Sequence, residues 1–411
     1  PVGRDRTVRM ILRKLEQSEH DRTRRLWEEV FTEDTKAFLD YYYYIKTRDN
    51  QIYAVEEDGD ICSMLQLNPY KVVVEGTEFP SAYVIAVATK AEYRRRGYMG
   101  ALLRASLHDM YEQKFPFTFL MPAAEAIYTP YDFRYIYSQD IGTLMQKEPG
   151  EMWFWQSGER KSEEAAASEY DDETHGILCS DAGLWDAEEM ADFFAGNFAD
   201  QFQVCTVRVS AYYQTMVLEQ QSERGGVRLM REDGALKGFY AYAAEEGLEI
   251  REPLFLPGYE GAFRRSVREL AEQCGKQGQS EIRVHACPAE FSSEKKPLIM
   301  ARIICLDRLL AALKVPESES VDCSFAVIDP LITENSRVWR VTSSEGETQL
   351  HVRETEDSEG VLPIAGLTEL LFGRVTAEEL KTRDEVILTE HLAGELEKIT
   401  KLTGVCFNEV V

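Results

Sequence analysis

Paired metal ligands are missing from this chain of 411 residues. Its eight cysteines, Cys62, Cys179, Cys205, Cys274, Cys287, Cys305, Cys323 and Cys406, are scattered without a CxxC pair, and its six histidines show no paired spacing. Neither a zinc site nor a disulfide framework is supported. Thiols flanked mostly by apolar residues suit a reducing, cytoplasmic setting. Long apolar runs are missing as well: none approaches the roughly 20 residues of a membrane helix, so no membrane partner is expected. Basic charge is in deficit, with 46 Lys and Arg against 72 Asp and Glu for a formal charge of −26. That balance argues against nucleic acid or an anionic membrane as partner. It suits a cationic small molecule, although a solvated acidic surface is the plainer explanation.

What is present is ample core material, 44% hydrophobic with 29% charged residues. A chain of this length exceeds one ordinary core, so two or three domains are expected. The most informative stretch is residues 84–137. An apolar run at 84–88 reads as a buried strand, and a polar turn then leads to Arg94-Arg95-Arg96-Gly97-Tyr98-Met99-Gly100. Met99, Leu102, Leu103, Leu107, Met110 and Tyr111 follow at helical spacing, and Pro116 ends that helix before a second apolar run at 117–121. Strand, basic glycine turn, helix, strand is an anion-binding layout: a helix N-terminus offers free N–H groups and the arginines add charge.

The elements before this stretch read as a short strand at 9–15, a helix bearing Leu26, Trp27, Val30 and Phe31, and a helical run of four tyrosines, Tyr41 to Tyr44. Trp27 and these tyrosines could line a pocket, but at helical spacing they are more often core. Strands at 52–55, 61–67, 72–74 and 82–87 then form an antiparallel meander. Residues 148–176 are acidic and aperiodic after a Trp cluster and read as a linker or long loop. A second unit follows with the same order: helix, hairpin at Asp233-Gly234, strand, helix at 259–274, strand at 281–286. Where the first unit has its arginines, the second has Pro257-Gly258-Tyr259-Glu260-Gly261, whose glutamate would repel phosphate. From 301 onward the pattern is α+β, closing on an apolar segment, 404–411, that should be packed down. The expected division is 1–147, an acidic linker 148–176, 177–300 and 301–411.

In these residues the chain resembles the GNAT superfamily of N-acetyltransferases, whose turn reads Arg/Gln-x-x-Gly-x-Gly/Ala after the fourth strand. Arg94 and Gly97 fit it, and Met99 stands where Gly or Ala is usual. Within the superfamily it is most similar to the Eis (enhanced intracellular survival) branch, with its RRRG turn. The resemblance implies an α/β (α+β) fold of tandem GNAT-like mixed-sheet domains, the second degenerate, followed by a sterol-carrier-protein-like C-terminal domain. It also implies a homo-oligomer, a hexamer in that branch. Acetyl-CoA is the cosubstrate it implies, held by Val87, Ala88 and Thr89 at the end of the fourth strand. Arg94, Arg95, Gly97, Tyr98 and Met99 would hold the pyrophosphate, with Arg96 and Gly100 beside them. The family's acid is a tyrosine in Tyr-x-x-Phe-Gly-Phe/Tyr, which falls on Tyr128, with Asp132 in place of the glycine. Its base is the C-terminal carboxylate, here that of Val411.

The implied activity is transfer of acetyl to an amine by direct attack through a tetrahedral intermediate, on an aminoglycoside-like polycation or a lysine. A phenol can protonate a departing thiolate, and a desolvated carboxylate can take the amine's proton. Plainer readings stand beside these: Tyr128 as a core aromatic, Val411 as a packed tail, and Glu125 and Glu409 as surface or structural carboxylates rather than amine ligands. The alternative function is a non-catalytic carrier of CoA and an apolar ligand.

Overall fold

A computed structural model describes residues 10–156 and 176–409. Its centre is one continuous mixed sheet built from two copies of the same strand order. In the first copy, β1 (Met10–Lys14), β2 (Gln51–Glu57), β3 (Asp60–Val74) and β4 (Thr77–Thr89) pair antiparallel in sequence, and β5 (Phe117–Leu120) lies parallel to β4. Positive φ at Asp58 and Gly59, and at Glu75 and Gly76, makes the two hairpin turns. Before the hairpins a 3-10 turn at Gln17–Thr23, capped by Glu16 and Glu19, leads into α1 (Arg24–Val30). Ser18 and Asp21, residue types suited to capping a helix, lie inside that turn and do not cap α1, whose N-cap position is Thr23. Thr35 caps α2 (Lys36–Tyr44) through its hydroxyl.

The remaining elements of this copy are α3 (Tyr98–Glu112), α4 (Glu125–Tyr128) and β6 (Arg134–Met145). A short strand, β7 (Phe154–Trp155), pairs with the end of β6, and Trp155 stacks on Phe291 at 4.6 Å. The expected linker is thus docked at its start, while 157–175 lies outside the described residues.

The second copy repeats the order with β8 (Ile177–Asp181), α5 (Ala187–Asn197), β9 (Val204–Thr206), α6 (Ser210–Ser222), β10 (Gly226–Glu232) and β11 (Ala235–Ala243). It ends with β12 (Glu249–Phe255), α7 (Glu260–Cys274), β13 (Glu281–His285) and β14 (Glu294–Ile303). The two copies exchange their last strands. β14 pairs with β5 of the first copy and β6 pairs with β13 of the second, and the two exchanged strands pair with each other at the centre. The boundary expected at residue 300 falls inside β14, so the chain's division by contact comes after Ile303.

From α8 (Leu306–Ala312) the chain builds a second sheet of five strands: β15 (Val321–Ile328), β16 (Val338–Ser343), β17 (His351–Thr355), β18 (Gly360–Pro363) and β19 (Ile387–Leu388). Its helices are α9 (Ile364–Leu371), α10 (Ala377–Lys381) and α11 (Glu390–Lys398), and the last strand is β20 (Val405–Cys406). This unit has no separate core. Leu367, Leu370 and Phe372 share one apolar cluster with Phe117 and Phe119 of β5, and Leu371 and Leu402 belong to it too. The tail returns to the large sheet, where β20 runs parallel to β9 and Phe407 stacks flat on Phe119 at 4.4 Å. Among the described residues no helix is long and apolar enough to cross a membrane.

Candidate active site

The first copy carries a notch at the edge between β4 and β5. The two strands pair at Tyr83 and Phe119 alone and part beyond that point. In the same stretch β4 is bulged: Met64 faces Ala88 and Gln66 faces Ile85, so Leu65 opposes both Ala86 and Val87. Ala86 takes the positive φ, 51°, that such a bulge requires. The bulge takes backbone groups at 86–87 out of the regular ladder. Val87 is half-buried, while the carbonyls of Ala88 and Thr89 accept from the Ser63 hydroxyl (3.0 Å) and Arg94 Nε (3.2 Å).

Beyond the notch, Arg95 (φ 64°) and Gly97 (φ 82°) bend the chain into α3. Gly97 is the N-cap and supplies no side-chain cap, so the first N–H groups of this 15-residue helix face outward. The three arginines differ in what they hold. Arg96 is engaged: it donates to the Glu92 carbonyl (3.1 Å), lies 3.4 Å from Glu57 and stacks over Tyr93 at 4.7 Å. Tyr98 also hydrogen-bonds Glu57. Arg94 uses only Nε, and Arg95 has no hydrogen bond or ion pair among the described residues. Open N–H groups, two exposed guanidinium forks and no carboxylate on them fit a pyrophosphate. Gly100 is needed for a different reason. A Cβ there would sit 2.7 Å from the Tyr131 hydroxyl, so helix and tyrosine turn pack directly. Met99 fills the apolar cluster under the helix.

Tyr128 ends α4 just past β5, 8% exposed, with its ring edge-on to Phe133 at 5.8 Å. Its hydroxyl is neither hydrogen-bonded nor sealed off among the described residues. Burial pushes the phenol up to about 12, so it stays protonated at any ordinary pH. Asp132 takes φ 66°, the left-handed turn for which a glycine is suited and which Asp tolerates.

Beside this edge lies a cavity of about 730 Å³ between the two copies. Met121, the residue after β5, lines it, as do Tyr70 and Lys46 of the first copy and Glu219, Glu252 and His285 of the second. The tail supplies Asn408 and Glu409. Five glutamates line it, Glu78, Glu219, Glu249, Glu252 and Glu409, against Lys46, Lys71 and Arg251. Glu219, half-buried in the cavity wall, accepts from Tyr41 (3.1 Å), and burial pushes its carboxyl up to about 7. Glu252 accepts from Asn408 (2.8 Å) and sits 2.7 Å from Arg208, a guanidinium buried over Phe194 and Tyr212. Glu409 accepts from Thr206 (2.5 Å) and Tyr212 (2.7 Å) through one oxygen, and its other oxygen is buried without a partner.

The residues expected at the site thus meet unevenly. Val87, Tyr98 and Met99 pack against the apolar cluster that holds Tyr128, Gly100 abuts Tyr131, and Glu409 lines the adjoining cavity. Glu125 is exposed and away from the cavity lining. Trp27 and Tyr42 are core, 4.5 Å apart, Tyr44 is exposed, and Tyr41 reaches the cavity wall only through Glu219. Val411 lies outside the described residues. Among the described residues no cluster of three His, Cys, Asp or Glu could hold a metal ion. The cavity's second-copy wall had no motif to announce it. It repeats the first copy's device: β12 is bulged at Glu252 (φ 46°) and parts from β13 after Arg251 and His285. The second copy's turn is closed on itself, since Glu260 accepts from the Gly258 N–H at 3.2 Å.

Residues 12–136 match the acetyltransferase (GNAT) domain family, and residues 306–405 match the sterol carrier protein domain family. No curated protein matches. Solved structures similar over the whole chain include a probable N-acyltransferase of Enterococcus faecalis, 17% identical with a TM-score of 0.76, covering 96% of this chain and 97% of that one. A GCN5-related N-acetyltransferase of Anabaena variabilis is 16% identical with a TM-score of 0.71, covering 95% and 97%. An Eis protein of Mycobacterium abscessus is 14% identical with a TM-score of 0.65, covering 95% and 97%. The chain thus carries a GNAT acetyltransferase domain at 12–136 and a sterol carrier protein domain at 306–405, and its fold as a whole is that of these solved structures.

Proposed function

We propose that the protein transfers acetyl from acetyl-CoA to the amine of a cationic small molecule held in the cavity between the two copies. The observation that carries this is the parted β4–β5 edge, with the free hydroxyl of Tyr128 beside it and an acid-walled cavity meeting it at Met121. When bound, the thioester supplies an activated acyl carbonyl. The first N–H groups of α3, with Arg94 and Arg95, hold the pyrophosphate by charge-assisted hydrogen bonds. Val87, Ala88 and Thr89 border the pantetheine arm, and a backbone N–H freed by the bulge can steady the carbonyl oxygen as it gains charge.

Glu219, Glu252 and Glu409 attract an ammonium into a pocket of low dielectric, where the attraction is stronger than in water. The ammonium gives its proton to a carboxylate or to water. The base role that the resemblance implies for the Val411 carboxylate is part of this proposal. The C–N bond forms by addition to the carbonyl, giving a tetrahedral intermediate; its collapse breaks the C–S bond, and the Tyr128 phenol gives its proton to the departing sulfur. Solvent then reprotonates the phenolate.

The test is thiol release from acetyl-CoA across a panel of cationic, neutral and anionic primary amines. Release is expected with cationic amines above all. Absence of CoA binding, or no release with any amine, would refute the proposal.

A further inference from the structure

A buried polar chain joins the Tyr128 turn to the sterol-carrier-like domain, and the chemistry above does not use it. Arg302 of the exchanged strand β14 is fully buried. Its Nε donates to the Tyr131 carbonyl at 3.0 Å, and its two Nη atoms donate to Asp329 at 3.2 and 2.5 Å. Asp329, also buried, further accepts from the Asn335 side chain (2.9 Å) and from the Leu331 and Ile332 N–H groups. Ile332 belongs to the same apolar cluster as Tyr128, and Leu331 packs against it. Asp132 closes the turn with a buried oxygen 3.6 Å from Arg302 that makes no hydrogen bond.

A second link runs in parallel. Arg134 donates to the carbonyl of Thr129, the residue after Tyr128, at 3.1 Å, and to that of Phe133 at 2.8 Å. Its Nε lies 3.9 Å from Glu369 of α9, and Arg383 holds Glu369 at 2.5 Å. Two guanidinium groups therefore grip the carbonyls at either end of the turn that follows Tyr128, and each is anchored to a carboxylate of the third domain. Burying such pairs gains little stability over apolar packing but fixes a single geometry.

We propose that the sterol-carrier-like domain serves catalysis through this grip: Arg302 with Asp329, and Arg134 with Glu369, are positioning residues for the Tyr128 hydroxyl. The inference rests on the acid role of Tyr128. The experiment is a pair of double-mutant cycles on the full chain, Arg302→Lys and Arg134→Met, each in the wild-type and Tyr128→Phe backgrounds. Lysine can still face Asp329 but cannot also reach the Tyr131 carbonyl, and methionine keeps the stem of the half-buried Arg134 without its donors.

In the wild-type background each variant should lower kcat about 10-fold or more, with KM for acetyl-CoA and the Kd for CoA within about twofold. In the Tyr128→Phe background the further loss should be under about twofold, because the acid they position is gone. A purely structural role would cost the same in both backgrounds, and that result would overturn the inference. Unchanged kcat in the folded variants would do so as well. If Arg302→Lys does not fold, wild-type kcat in Arg134→Met overturns it. Full activity of Tyr128→Phe itself would remove the acid reading along with the grip's purpose, a pattern distinct from additive losses on a slow Tyr128→Phe.

Discussion

Three consecutive arginines enter the proposed pyrophosphate turn, and the structure separates their roles. Arg95 is exposed and bonds to nothing among the described residues, so a phosphate contact there requires no existing bond to be broken. Arg96 would have to leave the Glu92 carbonyl, Glu57 and the face of Tyr93. A hydrogen bond to a charged group contributes about 1.5–3 kcal/mol, or roughly 10- to 150-fold in affinity. Arg95→Ala should therefore raise KM for acetyl-CoA by about 10-fold or more at low salt while leaving the melting temperature unchanged. The penalty should shrink at about 0.5 M salt, because the site is exposed and screened. Arg96→Ala should instead loosen the Tyr93–Tyr98–Glu57 packing and lower the melting temperature, with a smaller change in KM. Initial-rate kinetics, CoA calorimetry and thermal melts of the two variants decide the matter. An equal KM penalty for both, or a larger one for Arg96→Ala, would refute the assignment.

Two further outcomes follow from the cavity and the tail. Burial raises the Glu219 carboxyl from its ordinary 4.5 to about 7, so the folded state binds that proton more tightly than the unfolded chain. The associated stability is present below the ordinary carboxylate value and is lost as pH rises through about 7. Glu219→Gln should then raise the melting temperature at pH 8 and leave it nearly unchanged at pH 5. It should also abolish the tightening of cationic acceptors that wild type shows as Glu219 ionises, and equal melting shifts at both pH values would contradict this. Phe407, fully buried on Phe119, should cost about 3–5 kcal/mol when cut to alanine, measured by denaturant unfolding. A loss under about 1 kcal/mol would mean that the tail is not held by this packing.

What could be read in the sequence was local. The α3 stripe and the arginine–glycine turn stand next to each other in the chain, and the structure keeps them as one unit. The hairpins at Asp58-Gly59 and Asp233-Gly234 exposed the repeat for the same reason. The strand read as 61–67 and 72–74 is a single strand because β4 pairs along it from Ser63 to Val74, while on its other edge β2 stops at Leu67 and β9 begins at Val72. Pro69 sits in that gap, where its missing N–H costs nothing. The helix α6, which carries Glu219, was not anticipated because its apolar residues are spread around its axis rather than gathered on one face. The exchange of β6 and β14 is long-range and leaves no local signal. Nor did any spacing foretell Glu252, which enters the cavity through a bulge in the second copy that matches the one at Ala86.

The account turns on Tyr128 as the group that protonates the leaving sulfur. The direct measurement is kcat of Tyr128→Phe with acetyl-CoA and the best cationic amine from the panel, alongside CoA affinity by calorimetry. Loss of a positioned general acid is expected to lower kcat by about 10²- to 10⁴-fold with CoA binding intact. Wild-type activity should show no falling limb assignable to this phenol below its pKa of about 12. A Tyr128→Phe enzyme that turns over at the wild-type rate would contradict the account.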